Sequence, residues 1–434
     1  MIFEIILFTI IFTALTFYRL QIGLGLFFLL LPTYLIRFSI GSLPTTLLEV
    51  MLGIIFIAWL FEISNRRLTN FKFQISNFSS SKYKLFFIST SLFLIATTIS
   101  IFTSIDTRAA LGEWKAFYIE PFLLFIILTT TIIKTKQKKH LTNTILIALI
   151  LSGLATTILA IYQHFTGWMV PHAFWANGDS YRVTAWYGFP NGVGLFIAPL
   201  IPMAIYLLLH YKKQYKYAVQ TLCIVFLIAG PLAVLYAKST GGLIGIAAGI
   251  GLLLLFYKKT RWPAIVLGSI VLISIFAIPK LDSIQTEVTF QDRSGQIRLA
   301  IYNETLTFLK DHPIAGAGLA SFSERIVPYH KTVNGEGIEI FHHPHNIFLT
   351  MWVNLGLLGL IGFIGIIISN FLFLISVLKQ KNIPPQISYF LIASFTTIII
   401  TGLVDSPYVK NDLAILFWAI TALLFANVYT KNKQ

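Results

Sequence analysis

The alternation of long apolar runs with short polar segments is the feature that most constrains this chain. A helix needs about 20 apolar residues to cross a bilayer, and the alternating pattern of an outer-membrane barrel strand is absent. The sequence therefore predicts an all-α, polytopic transmembrane helix bundle of about 12–13 helices. The apolar runs fall near residues 2–18, 20–38, 46–63, 84–103, 116–134, 141–162, 191–210, 217–236, 240–257, 262–279, 346–378, 386–404 and 412–430.

The composition excludes a set of ordinary soluble domains. Hydrophobic residues make up 56% of the 434 residues, charged residues make up 11%, and the mean hydropathy is +0.79. In soluble domains about a quarter of the residues are charged. The first run contains Glu4 and lacks a basic region and a small-residue cleavage site, so we expect a retained spanning helix and not a signal peptide. The single cysteine, Cys223, excludes an intramolecular disulfide and a cysteine-rich metal site.

The formal net charge of +15 does not indicate nucleic-acid binding, because the basic residues lie in short clusters between the apolar runs. If the runs alternate across the bilayer, all six clusters fall on one side, which the positive-inside rule assigns to the cytoplasm. The clusters are Arg66, Arg67, Lys72, Lys82 and Lys84; Lys134, Lys136, Lys138 and Lys139; Lys212, Lys213 and Lys216; Lys258, Lys259 and Arg261; Lys379 and Lys381; and Lys431 and Lys433.

This topology divides the chain into five parts. They are N-terminal transmembrane helices (1–162), an external loop (163–190), central transmembrane helices (191–279), a long external loop with the candidate chemistry (280–345) and C-terminal transmembrane helices (346–434). Within the long loop, helical spacing predicts an apolar stripe of Ile297, Ile301 and Leu306 or Leu309 on the membrane surface, with Pro313 ending that helix.

One order of residues in the long loop resembles the O-antigen ligase and O-antigen polymerase family of membrane glycosyltransferases. Arg298 opens a helix, a Pro-x-x-Gly-x-Gly turn follows at 313–318, and His345 and Asn346 precede a glycine-rich helix. Ten residues separate His345 from Gly356, which is the spacing seen in the family. A second family pattern, an arginine ahead of a turn that enters a helix, is matched by Arg182 and the segment 188–191. The sequence departs from the family at Tyr302, where many members carry Trp or Leu.

The residue types suit glycosyl transfer. A histidine at the edge of a low-dielectric bundle can stay neutral near pH 7 and accept a proton. The planar guanidinium of arginine binds diphosphate through paired hydrogen bonds. By the resemblance, His345 takes the proton of the acceptor, while Arg298 and Arg182 hold the diphosphate. The candidate substrate-binding residues are Asn346, Tyr302, Asn191, Arg293 and His343.

The resemblance implies a fold like that of the GT-C glycosyltransferases. It also implies transfer of a glycan from a polyprenyl (undecaprenyl) diphosphate carrier to an acceptor hydroxyl, with inversion, at the external or periplasmic face of the bacterial inner membrane. The expected partners are that donor, a glycan, lipid or protein acceptor, and membrane lipids, with no cofactor and no nucleic acid. Ligase, repeat-unit polymerase and protein O-oligosaccharyltransferase stay open, and lipid A core of lipopolysaccharide is one of several possible acceptors.

Two alternatives follow from the residues themselves. The imidazoles of His342, His343 and His345 could bind zinc, but sequence neighbours rarely converge on a metal without a carboxylate or a second helix, so we expect no metal. A transporter or flippase would carry ionisable residues deep inside several helices, whereas the charges here concentrate at helix ends and in external loops.

Overall fold

The computed structural model describes residues 2–41, 43–65, 81–176, 181–278, 282–333, 336–337, 339–378 and 387–431. Over these residues, thirteen apolar helical segments follow the thirteen apolar runs of the sequence. Nine are long and apolar enough to cross a membrane, and four are shorter. The all-α, polytopic fold is therefore confirmed.

The apolar segments are built from these helices: α1 (Ile2–Tyr18), α2 (Leu20–Leu29), α3 (Leu47–Asn65), α4 (Ser81–Phe102), α5 (Thr107–Glu113), α6 (Glu120–Lys134), α7 (Lys138–Thr166), α9 (Asn191–Ile197), α10 (Leu200–His210), α11 (Lys216–Tyr236), α12 (Thr240–Phe256), α13 (Lys258–Ala277), α17 (Ile347–Leu378), α18 (Ile387–Thr401) and α19 (Asn411–Lys431). A π-helical turn, Trp114–Ile119, joins α5 to α6, so that these segments form one span.

The segments between the spans contain further elements, including the helix that the sequence predicts in the long loop. They are a 3₁₀ turn (Leu31–Leu35), the hairpin β1 (Arg37–Ile40) and β2 (Leu43–Thr46), α8 (Ala173–Ala176), α14 (Asp282–Val288), α15 (Arg293–Asp311), α16 (Phe322–Arg325), a second 3₁₀ turn (Val327–Tyr329), and the hairpin β3 (Thr332–Val333) and β4 (Glu336–Gly337). Arg37 pairs with Thr46 in the first hairpin, and Thr332 pairs with Gly337 in the second.

Small residues bring the spanning helices close together. On α17, a Cβ at Gly362 would lie 2.7 Å from the backbone nitrogen of Phe93 on α4. On α12, Gly245 faces α18, where the hydroxyl of Thr397 donates to the Gly245 carbonyl at 3.1 Å. Close approach through glycine is the usual way in which helices associate in a membrane, where lipid competes with apolar side chains. Gly245 therefore lets α12 pack closely against α18.

The basic helix ends within the described residues meet at one end of the bundle. Tyr83, on the first turn of α4, contacts Phe373 of α17 and Tyr429 of α19. At the start of α18, Phe390 contacts Tyr206 of α10, and Tyr389 contacts Phe256 of α12. Arg19, between α1 and α2, donates to Gln137 between α6 and α7 at 3.3 Å. The basic residues predicted at Arg66, Arg67, Lys72, Lys379, Lys381 and Lys433 lie outside the described residues.

The long loop packs against the opposite end of the bundle, and this corrects one expectation. The apolar stripe of α15 does not lie on a membrane surface. Ile301, Phe308 and Leu309 are buried, whereas Leu306 is 42% exposed. Phe308 and Leu309 pack with Phe322 in a small core that also contains Val353 of α17, because the segment that follows α15 folds back over this face. The helix does end at Asp311, before Pro313.

The Pro-x-x-Gly-x-Gly turn joins the loop to α17. At Gly356 the helix breaks, with φ 69° and ψ −176°. The Leu357 N–H there donates to the Ile314 carbonyl at 3.0 Å, and the Ala317 N–H donates to the Val353 carbonyl at 2.6 Å. A Cβ at Gly316 would lie 2.4 Å from the Val353 oxygen, and one at Gly356 would lie 2.1 Å from the Ile314 oxygen. Only glycine allows this backbone contact, which fixes the first turns of α17 against the loop.

Candidate active site

His345 lies immediately before α17, at the end of the bundle that carries the long loop. Its φ is 49°, in the left-handed region that non-glycine residues seldom adopt. The Ile347 N–H donates to the Gly402 carbonyl at 2.7 Å, and the hydroxyl of Tyr302 donates to the His345 carbonyl at 2.9 Å. Two separate segments thus hold this strained backbone. Such strain is often kept at functional sites.

Asp405 is the partner of the His345 imidazole. Its Oδ1 lies 3.4 Å from Nδ1 of His345, and its side chain is 5% exposed. The carboxylate also accepts from Nδ2 of Asn191 at 2.7 Å and from the Ser406 N–H at 2.8 Å. Because a carboxylate only accepts, the pair favours the neutral tautomer of His345 that has its proton on Nδ1, in which Nε2 carries a free lone pair. Within the described part of the chain, Nε2 has no hydrogen-bond partner.

Asp405 was not among the candidate residues of the sequence analysis. Its only local signal is an acidic residue near the start of the polar segment between α18 and α19. It lies 60 residues from His345 in the chain. Nothing in the local sequence indicates that the two side chains meet.

Arg182 is fixed on three sides in the segment between α8 and α9. Its Nε donates to the Ala237 carbonyl at 2.8 Å, and its Nη2 donates to the Lys238 carbonyl at 3.0 Å and to Oδ1 of Asn191 at 2.8 Å. These bonds use the protons of Nε and Nη2. Over the residues that the structure describes, Nη1 makes no hydrogen bond, so one edge of the guanidinium is available to an anion.

Arg298 is held in a similar way on α15. Its Nε donates to the Val404 carbonyl at 3.1 Å, and its Nη1 donates to Oγ of Ser294 at 2.9 Å. Among the described contacts, its Nη2 has no acceptor. Val404 precedes Asp405, so Arg298 is anchored beside the carboxylate of the histidine pair. The structure therefore gathers Arg182, Arg298 and His345 around one segment, 402–405.

Three other candidates of the sequence analysis have partners within this cluster. Asn191 bridges Arg182 to Asp405. Asn346 caps α17 through Oδ1, which accepts from the N–H groups of Phe348 and Leu349, and its Nδ2 donates to the Leu403 carbonyl. Both amides thus organise the protein around the site. Tyr302 does the same through the His345 and Leu403 carbonyls. Their predicted contact with substrate stays a prediction.

His343 and Arg293 occupy different positions at this site. Nδ1 of His343 accepts from the His345 N–H at 3.3 Å, and the two rings lie 4.7 Å apart. Arg293 is exposed at the first residue of α15. Five residues of an α-helix correspond to a rotation of about 140°, so Arg293 leaves the helix on a different side from Arg298.

Two guanidinium groups and the buried carboxylate of Asp405 dominate the electrostatics of the site. Burial, followed by the charge of Arg298, lowers the pKa of Arg182 to about 10, so it stays protonated at neutral pH. Burial opposes ionisation of Asp405, but its hydrogen bonds to His345 and to the Ser406 N–H hold its pKa below the usual range. Burial, followed by the charge of His345, lowers the pKa of His343 to about 3, so it is neutral. Two neighbouring guanidinium groups of this kind favour an anion with more than one charge.

The same cluster contains a possible set of metal ligands. One donor atom from each of His343, His345 and Asp405 lies within 4.8 Å of the others. Imidazole and carboxylate are common zinc ligands, so the carboxylate that the sequence argument lacked is present. Nearby charges act in both directions, because the Asp405 carboxylate favours positive charge at His343 whereas Lys410 disfavours it.

Part of the chain is similar to known proteins. Residues 222–364 match the family model described as O-antigen ligase. This match, over less than half of the chain, supports membership of the O-antigen ligase family. An uncharacterised protein of Haemophilus influenzae is 26% identical over 269 residues, which cover 56% of this chain and 62% of that relative. The chain thus spans less than two thirds of that curated relative's length.

The match to the O-antigen ligase family includes only part of the site. The matched range includes Arg298, His345 and the two glycines, Gly316 and Gly356, at which the long loop contacts α17. Arg182 and Asp405 lie outside it. The family is generally one of membrane glycosyltransferases, and the apolar helices agree with an integral membrane protein. The structure brings the two outside residues to the matched ones through Asn191 and Val404.

Proposed function

We propose that this O-antigen ligase family protein transfers a glycan from a polyprenyl diphosphate carrier to an acceptor hydroxyl. The observation that carries the proposal is the convergence of two backbone-anchored arginines with a histidine–aspartate pair. Each arginine keeps unpaired N–H groups within the described structure, and the histidine keeps Nε2. Glycosyl transfer from a diphosphate requires cations that stabilise the anionic leaving group and a base that accepts the proton of the acceptor hydroxyl.

In the proposed reaction the acceptor oxygen attacks the anomeric carbon while the bond from that carbon to the diphosphate oxygen breaks. The acceptor proton passes to Nε2 of His345, and the negative charge that develops on the leaving diphosphate is stabilised by Arg182 and Arg298. A single displacement of this kind inverts the anomeric centre. Asp405 stays ionised and stabilises the imidazolium that forms, since its carboxylate lies at Nδ1.

We place this site on the external face, at the periplasmic side of a bacterial inner membrane. The support is the grouping of the basic helix ends at the opposite end of the bundle, which the positive-inside rule assigns to the cytoplasm. A donor assembled on a lipid carrier fits a site at a membrane surface. The acceptor class, whether lipid A core, a growing glycan or a protein, is the part of the proposal that product analysis must supply.

The test uses the purified protein, a polyprenyl diphosphate glycan and separate glycan, lipid and protein acceptors, with products identified by mass spectrometry. The expected result is a product in which the glycan is joined to an acceptor hydroxyl, with free polyprenyl diphosphate released. The His345→Ala variant, checked for folding by monodisperse elution, should transfer about 10²–10⁴-fold more slowly and bind the donor as before. A folded variant that transfers at the parental rate would contradict the proposed base.

A further inference from the structure

A cavity of about 740 Å³ lies at the basic end of the bundle, between the ends of α1, α3 and α6. A second cavity of about 580 Å³ adjoins it and shares Arg19, Lys136 and Gln137 with it. Both cavities are remote from the candidate active site. Helix α7 runs from His140, which lines the second cavity, to Gln163, which binds the loop of Arg182. At 1.5 Å per residue the two ends are roughly 35 Å apart.

The inner wall of the larger cavity is apolar and aromatic. Phe17 and Phe61 form an edge contact at 5.7 Å, and they are 47% and 56% exposed. Trp59 lies on the same wall and donates its Nε1–H to the hydroxyl of Thr130 at 2.9 Å. Because its one polar atom is hydrogen-bonded to Thr130, the Trp59 ring presents an apolar surface to the cavity. Such a surface suits an acyl chain, which makes only dispersion contacts.

The rim that the two cavities share is basic. Arg19 is the single residue between α1 and α2, and its Nη2 donates to Gln137, while Gln21 donates to Thr135 at 3.4 Å. These bonds tie the two interhelical corners together and set Arg19 beside Lys136. The lining of the two cavities contains six lysines and arginines and one acidic residue, Glu62: Arg19, Lys134 and Lys136 in the first, with Lys138, Lys139 and Lys213 added by the second.

We propose that these adjoining cavities bind one anionic phospholipid from the membrane leaflet on the basic side of the protein. Its phosphate lies between Arg19 and Lys136, and an acyl chain lies along Phe17, Trp59 and Phe61. Topology signals alone account for basic residues at helix ends. They do not account for an apolar, aromatic cavity that opens directly onto those residues. Basic pockets between transmembrane helices on the cytoplasmic side recognise anionic lipid head groups. This proposal is independent of the reaction at the opposite end.

The test measures lipid binding to the purified full-length protein by native mass spectrometry. The probes are phosphatidylglycerol and phosphatidylcholine with identical acyl chains, each titrated into the detergent solution. The Arg19→Gln/Lys136→Gln double variant removes the proposed phosphate ligands. Lys258→Gln/Lys259→Gln is the matched control, because these lysines are exposed at the start of α13, on the same side of the bundle.

We expect the parental protein to retain phosphatidylglycerol and to lose phosphatidylcholine readily. Each lost basic residue should weaken phosphatidylglycerol binding about fivefold, or about 25-fold for the double variant, with little change in the control. Equal weakening in both double variants would overturn the proposal in favour of general surface charge. Displacement of the lipid by soluble glycerol phosphate would also overturn it, since the apolar wall would then contribute nothing. The single Lys136→Gln variant, with a fivefold expectation, serves if the double variant does not fold.

Discussion

Replacement of Asp405 by asparagine tests the central feature of the candidate site, because the two side chains have the same shape. Oδ2 of the carboxylate accepts from Asn191. Oδ1 accepts from the Ser406 N–H and lies beside Nδ1 of His345. An asparagine amide has one oxygen for these two positions. Arg182 donates to the other end of the Asn191 amide, so that amide cannot turn over without loss of the bond to the arginine.

Both orientations of the new amide conflict with a neighbour. If its nitrogen faces Asn191, two donors meet, and one buried hydrogen bond is lost at a cost of about 1–3 kcal/mol. If its nitrogen faces His345, the new NH2 group lies against the Ser406 N–H, and both are donors. The NH2 group also donates to Nδ1 of His345. The imidazole proton then moves to Nε2, and the base is lost. We therefore expect Asp405→Asn to reduce transfer by a factor of about 10²–10⁴, with a modest loss of stability.

The assay is the transfer rate across a pH series with purified protein, together with donor affinity and thermal unfolding. Asp106→Asn is the matched control. Asp106 is exposed at the start of α5 and caps it through the Arg108 and Ala109 N–H groups, a role that asparagine performs equally well. An Asp405→Asn protein that is folded and keeps the parental rate and pH profile would refute the assignment of Nε2 as the base. A loss of rate shared by the control would show a general effect of charge.

The remaining predictions concern the arginines, the loop joint and metal. Arg182→Lys and Arg298→Lys should each weaken donor binding about 10- to 150-fold, since loss of a charge-assisted hydrogen bond costs about 1.5–3 kcal/mol; donor titration checks this, and unchanged affinity beside an Arg108→Lys control would remove that arginine from the site. Gly356→Ala should lower stability by about 2 kcal/mol or more in thermal unfolding, because its φ is 69° and a Cβ would lie 2.1 Å from a carbonyl oxygen. Gly251→Ala, which meets nothing within 4 Å in α12, should be neutral or slightly stabilising, and equal losses would contradict the argument. Transfer should persist in EDTA; loss that zinc restores would reassign the histidine–aspartate cluster as a metal site.

The apolar helices could be predicted from the sequence because a bilayer requires a long apolar run in each segment that crosses it. Even the division between α1 and α2 at Arg19 follows from two adjacent apolar runs. The face of α15 could not be predicted in the same way. Its apolar stripe would look alike on a membrane surface or under a folded loop, and the choice depends on residues 313–326, which cover it. Periodicity identifies an apolar face but not the surface that covers it.

The candidate site was only partly predictable for a related reason. The types of Arg182, Arg298 and His345 indicated their chemistry, and the resemblance to a family indicated which of many charged residues to consider. Asp405 has no such local pattern, since its meaning comes from a contact with a residue 60 positions away. The break at Gly356 could not be predicted for a different reason. A glycine in an apolar helix usually serves close packing, and only the structure shows the positive φ that the loop contact requires.

The hydrogen bonds of the site imply that donor binding and the base are not independent. One continuous set of contacts runs from Arg182 through Asn191 and Asp405 to His345, and Arg298 is anchored on the residue that precedes Asp405. In the proposed reaction, a diphosphate that shifts the position of either arginine also shifts residues 404–405, which orient the imidazole. Residues in one hydrogen-bonded network have non-additive effects when they are changed together. The loss from changing Arg182 and Asp405 together should therefore be smaller than the sum of the separate losses, because either change releases Asn191 from its bridging position.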